Sequence, residues 1–313
     1  MPRVFDTASP SETPVWVLEN LASGQAGPAL SLARRFGHSF RRIRQAIHLA
    51  AAEDEARANG QRPALVVSSG FGGGMRALSL RARYGCRLVH CARAGGSLPA
   101  ASFGYPFDVL VVPQEGKYSA RVLGTLGPMS PVSPILIAQA RELWLERLAH
   151  LPKPRVTLLF GGGPLAMGSV EIEARLSQIV SLVRERKGSV LACVLPGADP
   201  ASVRLLNASL AHCMHLIWRH GEPDENPMLG FMGCSDVVVT MAVSAQTMLE
   251  AAAADMPVFA AESEATLLRR PIARCLISSD FVRPLAGTFS PWCRTPLDEA
   301  GRISSEIKRL MPL

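Results

Sequence analysis

The chain has 313 residues, 48% of them hydrophobic and 19% charged, with a formal net charge of +7. This length suits two domains of ordinary size, and this balance excludes a disordered chain. No apolar run reaches the roughly 18 residues that cross a bilayer, and no nucleic-acid motif accompanies the arginines, so neither a spanning protein nor a nucleic-acid binder is expected.

The N-terminal MPRVFDTASPSETP lacks a basic-then-apolar leader, so a cytoplasmic protein is expected. Seven cysteines without a CxxC pair fit reduced, mostly buried thiols and offer no metal site. Residues 1–150 hold 17 Lys+Arg against 10 Asp+Glu, whereas residues 151–313 hold 16 of each, so the basic excess lies in the first half. Such a face can attract an anionic membrane surface, placing the protein peripherally at the inner side of a membrane; a solvated basic surface is the alternative.

In chain order, the pattern predicts a strand at about Pro14–Leu18, a helix ending near Gly37, a basic stretch, and an Ala-rich helix at about Gln45–Asn59. A strand at Ala64–Ser68, a Gly-rich turn at Gly70–Gly74 and a helix to about Tyr84 follow, then short strands at Arg87–His90 and Asp108–Val112. A helix at Pro134–His150 and the stiff LPKP link (Leu151–Pro154) close this half. The pattern restarts with Val156–Phe160, a GGGP turn, a helix at Val170–Arg186, and strands at Val190–Val194 and His215–Trp218. Alternating strands and helices predict parallel, doubly wound sheets. The expected domains are residues 1–150 and 151–285, with a tail of residues 286–313 carrying an amphipathic helix.

The stretch Asn226–Pro257 (NPMLGFMGCSDVVVTMAVSAQTMLEAAAADMP) is the most informative. It reads as a short helix, an apolar strand at Asp236–Thr240, and a helix from about Ser244 to Ala254 with Glu250 near its middle. A helix N-terminus just beyond a parallel strand offers free N–H groups and a positive dipole end, which suits a diphosphate. A carboxylate two turns further on can accept hydrogen bonds from ribose hydroxyls. The same stretch also reads as one more buried strand–helix unit.

Two glycine runs follow strands: Gly70–Phe71–Gly72–Gly73–Gly74, which lacks GxGxxG spacing, and Gly161–Gly162–Gly163, which lacks the Lys-Ser/Thr of a P-loop. Either could let backbone approach a ligand, with Gly70, Gly72 and Asn226 as further cleft candidates, or could serve tight turns. No G-x-S-x-G elbow occurs, so His90 at a strand end is the candidate general base, against a structural role; His212, His215 and His220 have no metal-ligand companions.

Val15–Leu18, Val66–Gly70, Leu148–Gly163 (LAHLPKPRVTLLFGGG), Asn226–Thr240 and Phe281–Glu299 occur in the order of the mitochondrial fission (elongated-mitochondria) family, which this chain resembles over nearly its whole length. NPMLGFMGCSDVVVT and LAGTFSPWCRTPLDE carry the resemblance most specifically. It implies a GT-B glycosyltransferase-like α/β fold, with two Rossmann-like domains facing an interdomain cleft and a C-terminal helix that can return to the first domain. It also implies a nucleotide-diphosphate sugar as co-substrate, with no other cofactor and no metal. Gly161, Gly162, Gly163, Ser244, Gln246 and Glu250 would hold that sugar, and the Glu seven residues before Pro257 would take the ribose.

The chain departs from the family pattern at polar positions. The family's S-R-R-T-P is Pro196–Gly197–Ala198–Asp199–Pro200, without its two cations, and its H-I-Q-D-P is His90–Cys91–Ala92–Arg93–Ala94. Losing two charge-assisted partners of a departing diphosphate costs about 3–6 kcal/mol, unless Arg219, Arg269 or Arg270 substitutes. Two functions follow. One is a metal-independent transferase whose basic first domain brings an acceptor, such as a lipid-linked one, to His90. The other is a non-catalytic member acting as a membrane-associated or protein-binding scaffold.

Overall fold

The computed structural model describes residues 14–19, 27–43, 46–92, 106–113, 120–162 and 167–311, which form two compact units. The first comprises Met1–Pro131 with Asp298–Leu313, and the second Val132–Leu297. The sequence expectation ended the first domain at residue 150, whereas helix 134–144 lies within the second unit. The expected tail begins at residue 286, but the chain crosses to the first unit only at Asp298.

In the first unit, β1 (Val15–Glu19) leads to α1 (Pro28–Ala33), β2 (Phe40–Ile43) and α2 (Ala46–Asn59). Then come β3 (Leu65–Ser69), α3 (Gly70–Tyr84), β4 (Arg87–Cys91), β5 (Val109–Val112) and β6 (Val122–Gly124). The strand order is β2-β1-β3-β4-β5-β6, and the pairings are parallel. The buried residues of β1 and β3 point alternately to two cores. Val15, Val17, Leu65 and Val67 meet α1, while Trp16, Leu18 and Val66 meet Ala52, Ala56, Ala77 and Leu80 of α2 and α3.

The run Gly70–Gly74, expected as a turn, instead forms the first turns of α3. The reason is close packing. A Cβ on Gly73 would lie 3.2 Å from the Leu18 carbonyl oxygen, and one on Gly74 would lie 3.0 Å from His90 Cε1. Two short strands, β2 and β6, are added by the structure, β2 where the sequence suggested only a basic stretch and β6 where it offered no element. FRRI is half-buried at an edge, and its pairing to β1 supplies the missing periodic signal.

The second unit begins with α4 (Pro134–Trp144), followed by β7 (Arg155–Phe160), α5 (Ser169–Glu185), β8 (Ser189–Val194), α6 (Pro200–Leu210) and β9 (Met214–Arg219). Next are α7 (Met228–Cys234), β10 (Val237–Met241), α8 (Ala245–Ala252), β11 (Val258–Ala260), α9 (Glu264–Leu268), α10 (Pro271–Ser278) and β12 (Arg283–Pro284). Its parallel sheet runs β12-β11-β10-β7-β8-β9. β7, β8 and β10 are buried along their whole lengths, as expected of central parallel strands covered on both faces. The last helix, α11 (Glu299–Leu310), inserts Ile303 and Ile307 into the α1-side core of the first unit, with Asp298 at its N-cap paired to Arg35.

The glycines of NPMLGFMG serve helix packing. A Cβ on Gly230 would stand 2.2 Å from Trp144 Cγ, and one on Gly233 2.7 Å from the Ile137 carbonyl oxygen, so α7 presents bare backbone to α4. Trp144 also meets the Phe231 ring edge-on at 5.7 Å. In Gly230→Ala the gain in helix propensity, about 1 kcal/mol, opposes an overpacking cost of about 1–3 kcal/mol. The contact sits at the stiff base of the Trp144 side chain, so net destabilisation of about 1–2 kcal/mol is expected by urea denaturation; a variant as stable as the parent would show that α4 yields freely.

Candidate functional site

In an open parallel sheet, ligands bind beyond the carboxyl ends of the strands where the winding direction reverses. The second sheet starts at β7, grows through β8 and β9 on one side, then crosses to β10 on the other. Its switch point therefore lies between β7 and β10. Here Gly161 N–H donates to the Met241 carbonyl at 3.1 Å, and a Cβ on Gly161 would stand 3.0 Å from the Ala242 oxygen. Gly162 is packed more tightly still, since a Cβ there would fall 1.6 Å from the Gly197 oxygen of the loop after β8. The loops that follow β7, β8 and β10 thus meet backbone to backbone. Gly163 lies outside the described residues.

Ser244 caps α8. Its hydroxyl accepts from Thr247 N–H at 3.1 Å, and its carbonyl accepts from Met248 N–H at 3.1 Å. Among the described residues nothing accepts from Ala245 and Gln246 N–H, the first two of the helix. Gln246 Nε2 donates to Glu250 Oε1 at 3.0 Å, as an i,i+4 pair on one face. Ser244, Gln246 and Glu250 therefore lie on one element, beside the glycines that end β7.

The other sequence candidates lie on other elements. Asn226 Oδ1 accepts from Met228 N–H at 3.0 Å and starts α7. Arg219 donates to Glu222 and to Asn207 Oδ1, Arg269 is exposed, and Arg270 pairs with Glu262. His90, Gly70 and Gly72 belong to the first unit. Gly70 opens α3 at φ +70°, a left-handed conformation that favours glycine.

His90 Nδ1 lies 2.9 Å from Ser68 Oγ, and its ring stacks on Phe107 at 4.7 Å. Burial pushes the imidazole down to about 4, so it is neutral at pH 7 and weakly basic. Nε2 is then the nitrogen left for another group.

Three carboxylates to which the sequence reading gave no role shape these strand ends. Glu19, buried at the end of β1, accepts from Gly27 N–H at 2.8 Å and Leu30 N–H at 3.3 Å, so its carboxylate fills the α1 N-terminus. Asp199 fills that of α6, accepting from Ala201 and Ser202 N–H, and the Ser202 bonds hold its carboxyl below the ordinary range. The Asp-Pro dipeptide at 199–200 was the readable signal for that cap. Glu262, buried just after β11, has its carboxyl raised by desolvation despite Arg270. At the other end of α8, Arg294 donates to the carbonyls of Ala252, Ala254 and Met256, and burial pushes its guanidinium down to about 10.

Among the described residues no group of three His, Cys, Asp or Glu side chains is placed to hold a metal, and no helix is long and apolar enough to cross a membrane. Cys86, Cys91, Cys193 and Cys234 are buried free thiols, and Cys293 is exposed.

Residues 16–311 match the model of the family described as Mitochondrial fission ELM1. The chain belongs to this family. No curated protein matches it. Among solved structures, a putative UDP-N-acetylglucosamine 2-epimerase from Listeria monocytogenes is similar at TM-score 0.53 and 12% identity, covering 97% of this chain and 89% of that one. The UDP-GlcNAc 2-epimerase from Neisseria meningitidis, bound to UDP-GlcNAc, is similar at TM-score 0.50 and 13% identity, covering 95% and 90%. These likenesses concern the fold. This family member is α/β and GT-B-like, with two Rossmann-like sheets.

The His90 environment has a pH signature. Its ordinary pKa of 6.5 falls to about 4 in the folded chain, so between those pH values only the unfolded chain takes the proton. Stability is therefore complete above pH 6.5 and declines as pH falls toward 4, by on the order of 3 kcal/mol from this group. Replacing His90 with Gln should flatten that part of the urea-midpoint profile; an unchanged profile would assign the decline to other groups.

Proposed function

We propose that the second unit binds a nucleoside diphosphate, as part of a nucleotide sugar, at the N-terminus of α8. The observation that carries this reading is a contrast between helix ends. The α1 terminus holds Glu19 and the α6 terminus holds Asp199, whereas α8, at the switch point, is capped by an uncharged hydroxyl, and among the described residues nothing accepts from its first two N–H groups. An N-terminus already bearing a carboxylate repels a phosphate; one bearing a hydroxyl attracts it. Gly161 and Gly162, with Gly163 between them and α5, let backbone approach the ligand. Glu250, oriented by Gln246, accepts the ribose hydroxyls. The Neisseria epimerase, a protein of similar fold, binds UDP-GlcNAc, which makes uridine compounds the first to try.

Replacing Glu250 with Ala should weaken UDP binding roughly ten- to a hundredfold in calorimetry, the worth of about 1.5–3 kcal/mol for hydrogen bonds to a charged group, with unfolding temperature preserved. Equal affinity in a folded variant would remove Glu250 from the site.

In the transferase version of this reading, the first unit brings the acceptor, with His90 as base. In the non-catalytic version the site binds without turnover. The second is favoured by the engagement of two nearby arginines: Glu222 and Asn207 hold Arg219, while Glu262 and the Val243 carbonyl hold Arg270. Either version accommodates a membrane-associated acceptor or partner. Phe71 is 86% exposed and Met75 54% exposed, one turn apart at the start of α3 in the more basic half of the chain. Association with anionic vesicles that weakens as salt rises, and is lost in Phe71→Ser, is the expected result; no sedimentation with vesicles at low ionic strength would eliminate the membrane partner.

A further inference from the structure

The ion pair Glu262–Arg270 has no part in the ligand contacts above, yet it touches the residues that lead into α8. Glu262 lies two residues beyond the end of β11 and is 2% exposed. Its Oε1 accepts from Arg270 Nη1 at 3.3 Å. Arg270 Nη2 in turn donates to the Val243 carbonyl at 2.7 Å. One buried ion pair thus reaches the turn formed by Ala242 and Val243, between β10 and Ser244, and bonds it at the Val243 carbonyl.

Those two residues need holding. Ala242 has φ +52°, a left-handed conformation unfavourable for a residue with a Cβ. The turn cannot relax toward β7, because Gly161 already stands against the Ala242 oxygen. Nor is the pair an ordinary stabilising bridge. Among the described residues Glu262 Oε2 has no hydrogen-bond partner, and a buried carboxylate with an unpaired oxygen is costly to maintain. A packed apolar pair would fill the same space without that penalty, but could not hold the Val243 carbonyl in place.

We propose that Glu262 and Arg270 are positioning residues. They fix the left-handed turn at Ala242–Val243, and through it aim the Ala245 and Gln246 N–H groups at a bound diphosphate. This rests on the reading of the α8 N-terminus as the diphosphate site, and it adds two residues that touch no ligand.

The test uses the full chain with Glu262→Ala and Glu262→Gln, the latter keeping side-chain size and an acceptor oxygen. Binding of UDP and of uridine, which has no phosphate, is followed by NMR, with amide hydrogen exchange measured on the ligand-free proteins. The proposal expects Glu262→Ala to lose UDP affinity at least tenfold with uridine affinity unchanged. It also expects faster exchange at Thr247 and Met248, with amides of the first unit unaffected. Glu262→Gln should fall between parent and Ala. Should the Ala variant fail to fold, the Gln variant decides by the same two readouts. Equal loss of UDP and uridine, or variants that match the parent in both binding and exchange, would overturn the positioning role. If the parent itself binds no UDP, the diphosphate reading fails, and unchanged exchange at Thr247 and Met248 would then overturn the brace on its own.

Discussion

The close approach of two strand ends in the second sheet governs much of what surrounds it. Gly161 donates to Met241 across the β7–β10 junction, with no room for a side chain against the Ala242 oxygen. Because β10 cannot retreat there, the chain leaves it through a left-handed residue. That turn is braced by Glu262 and Arg270, and it releases α8 with a serine rather than a carboxylate at its cap. Arg294 then neutralises the far end of the same helix by binding its last carbonyls. The result is a short dipole held at both ends, with its positive end unoccupied by protein charge.

Charge placement separates the N-terminus of α8 from those of α1 and α6. Parallel sheets with helices on both faces produce many helix N-termini along one edge, and each is a candidate anion site. Internal carboxylates have taken two of them, Glu19 in the first unit and Asp199 in the second. The loop after β8 carries no cation in Pro196–Pro200 and ends in the carboxylate that caps α6. On the proposed reading, binding energy for a diphosphate comes from N–H groups and the α8 dipole, an arrangement that favours retaining a ligand over stabilising a leaving group.

Much of the architecture was legible. Central strands such as Val156–Phe160 and Val190–Val194 are continuous apolar runs bounded by Gly and Pro, and parallel burial makes them so. Ser244, Gln246 and Glu250 could be placed together because i, i+2 and i+6 on one helix need only local geometry. What failed to show were features set by distant contacts. The β2 strand reads as FRRI, a basic stretch, because Arg42 points to Glu19 across 23 residues. Gly70–Gly74 looks like a turn because glycine disfavours helix, yet Leu18 and His90 demand its lack of a side chain. Likewise the end of the first domain was misplaced because α4 is amphipathic wherever it docks; only Gly230 and Gly233, nearly a hundred residues on, show that it docks on α7. Glu262, in AAESEA, gives no local sign that it is buried.

Mapping the ligand directly tests the central claim, that the open end of α8 is the anion site of this family member. Backbone amide shifts would be followed by NMR as UDP is added to the full chain. The account predicts perturbations centred on Gly161–Gly162 and Ser244–Glu250, with Pro28–Ala33 and Pro200–Leu210 unmoved because Glu19 and Asp199 already occupy those helix ends. Perturbations centred on Pro28–Ala33 or on Gly70–Gly74, with α8 unmoved, would contradict it.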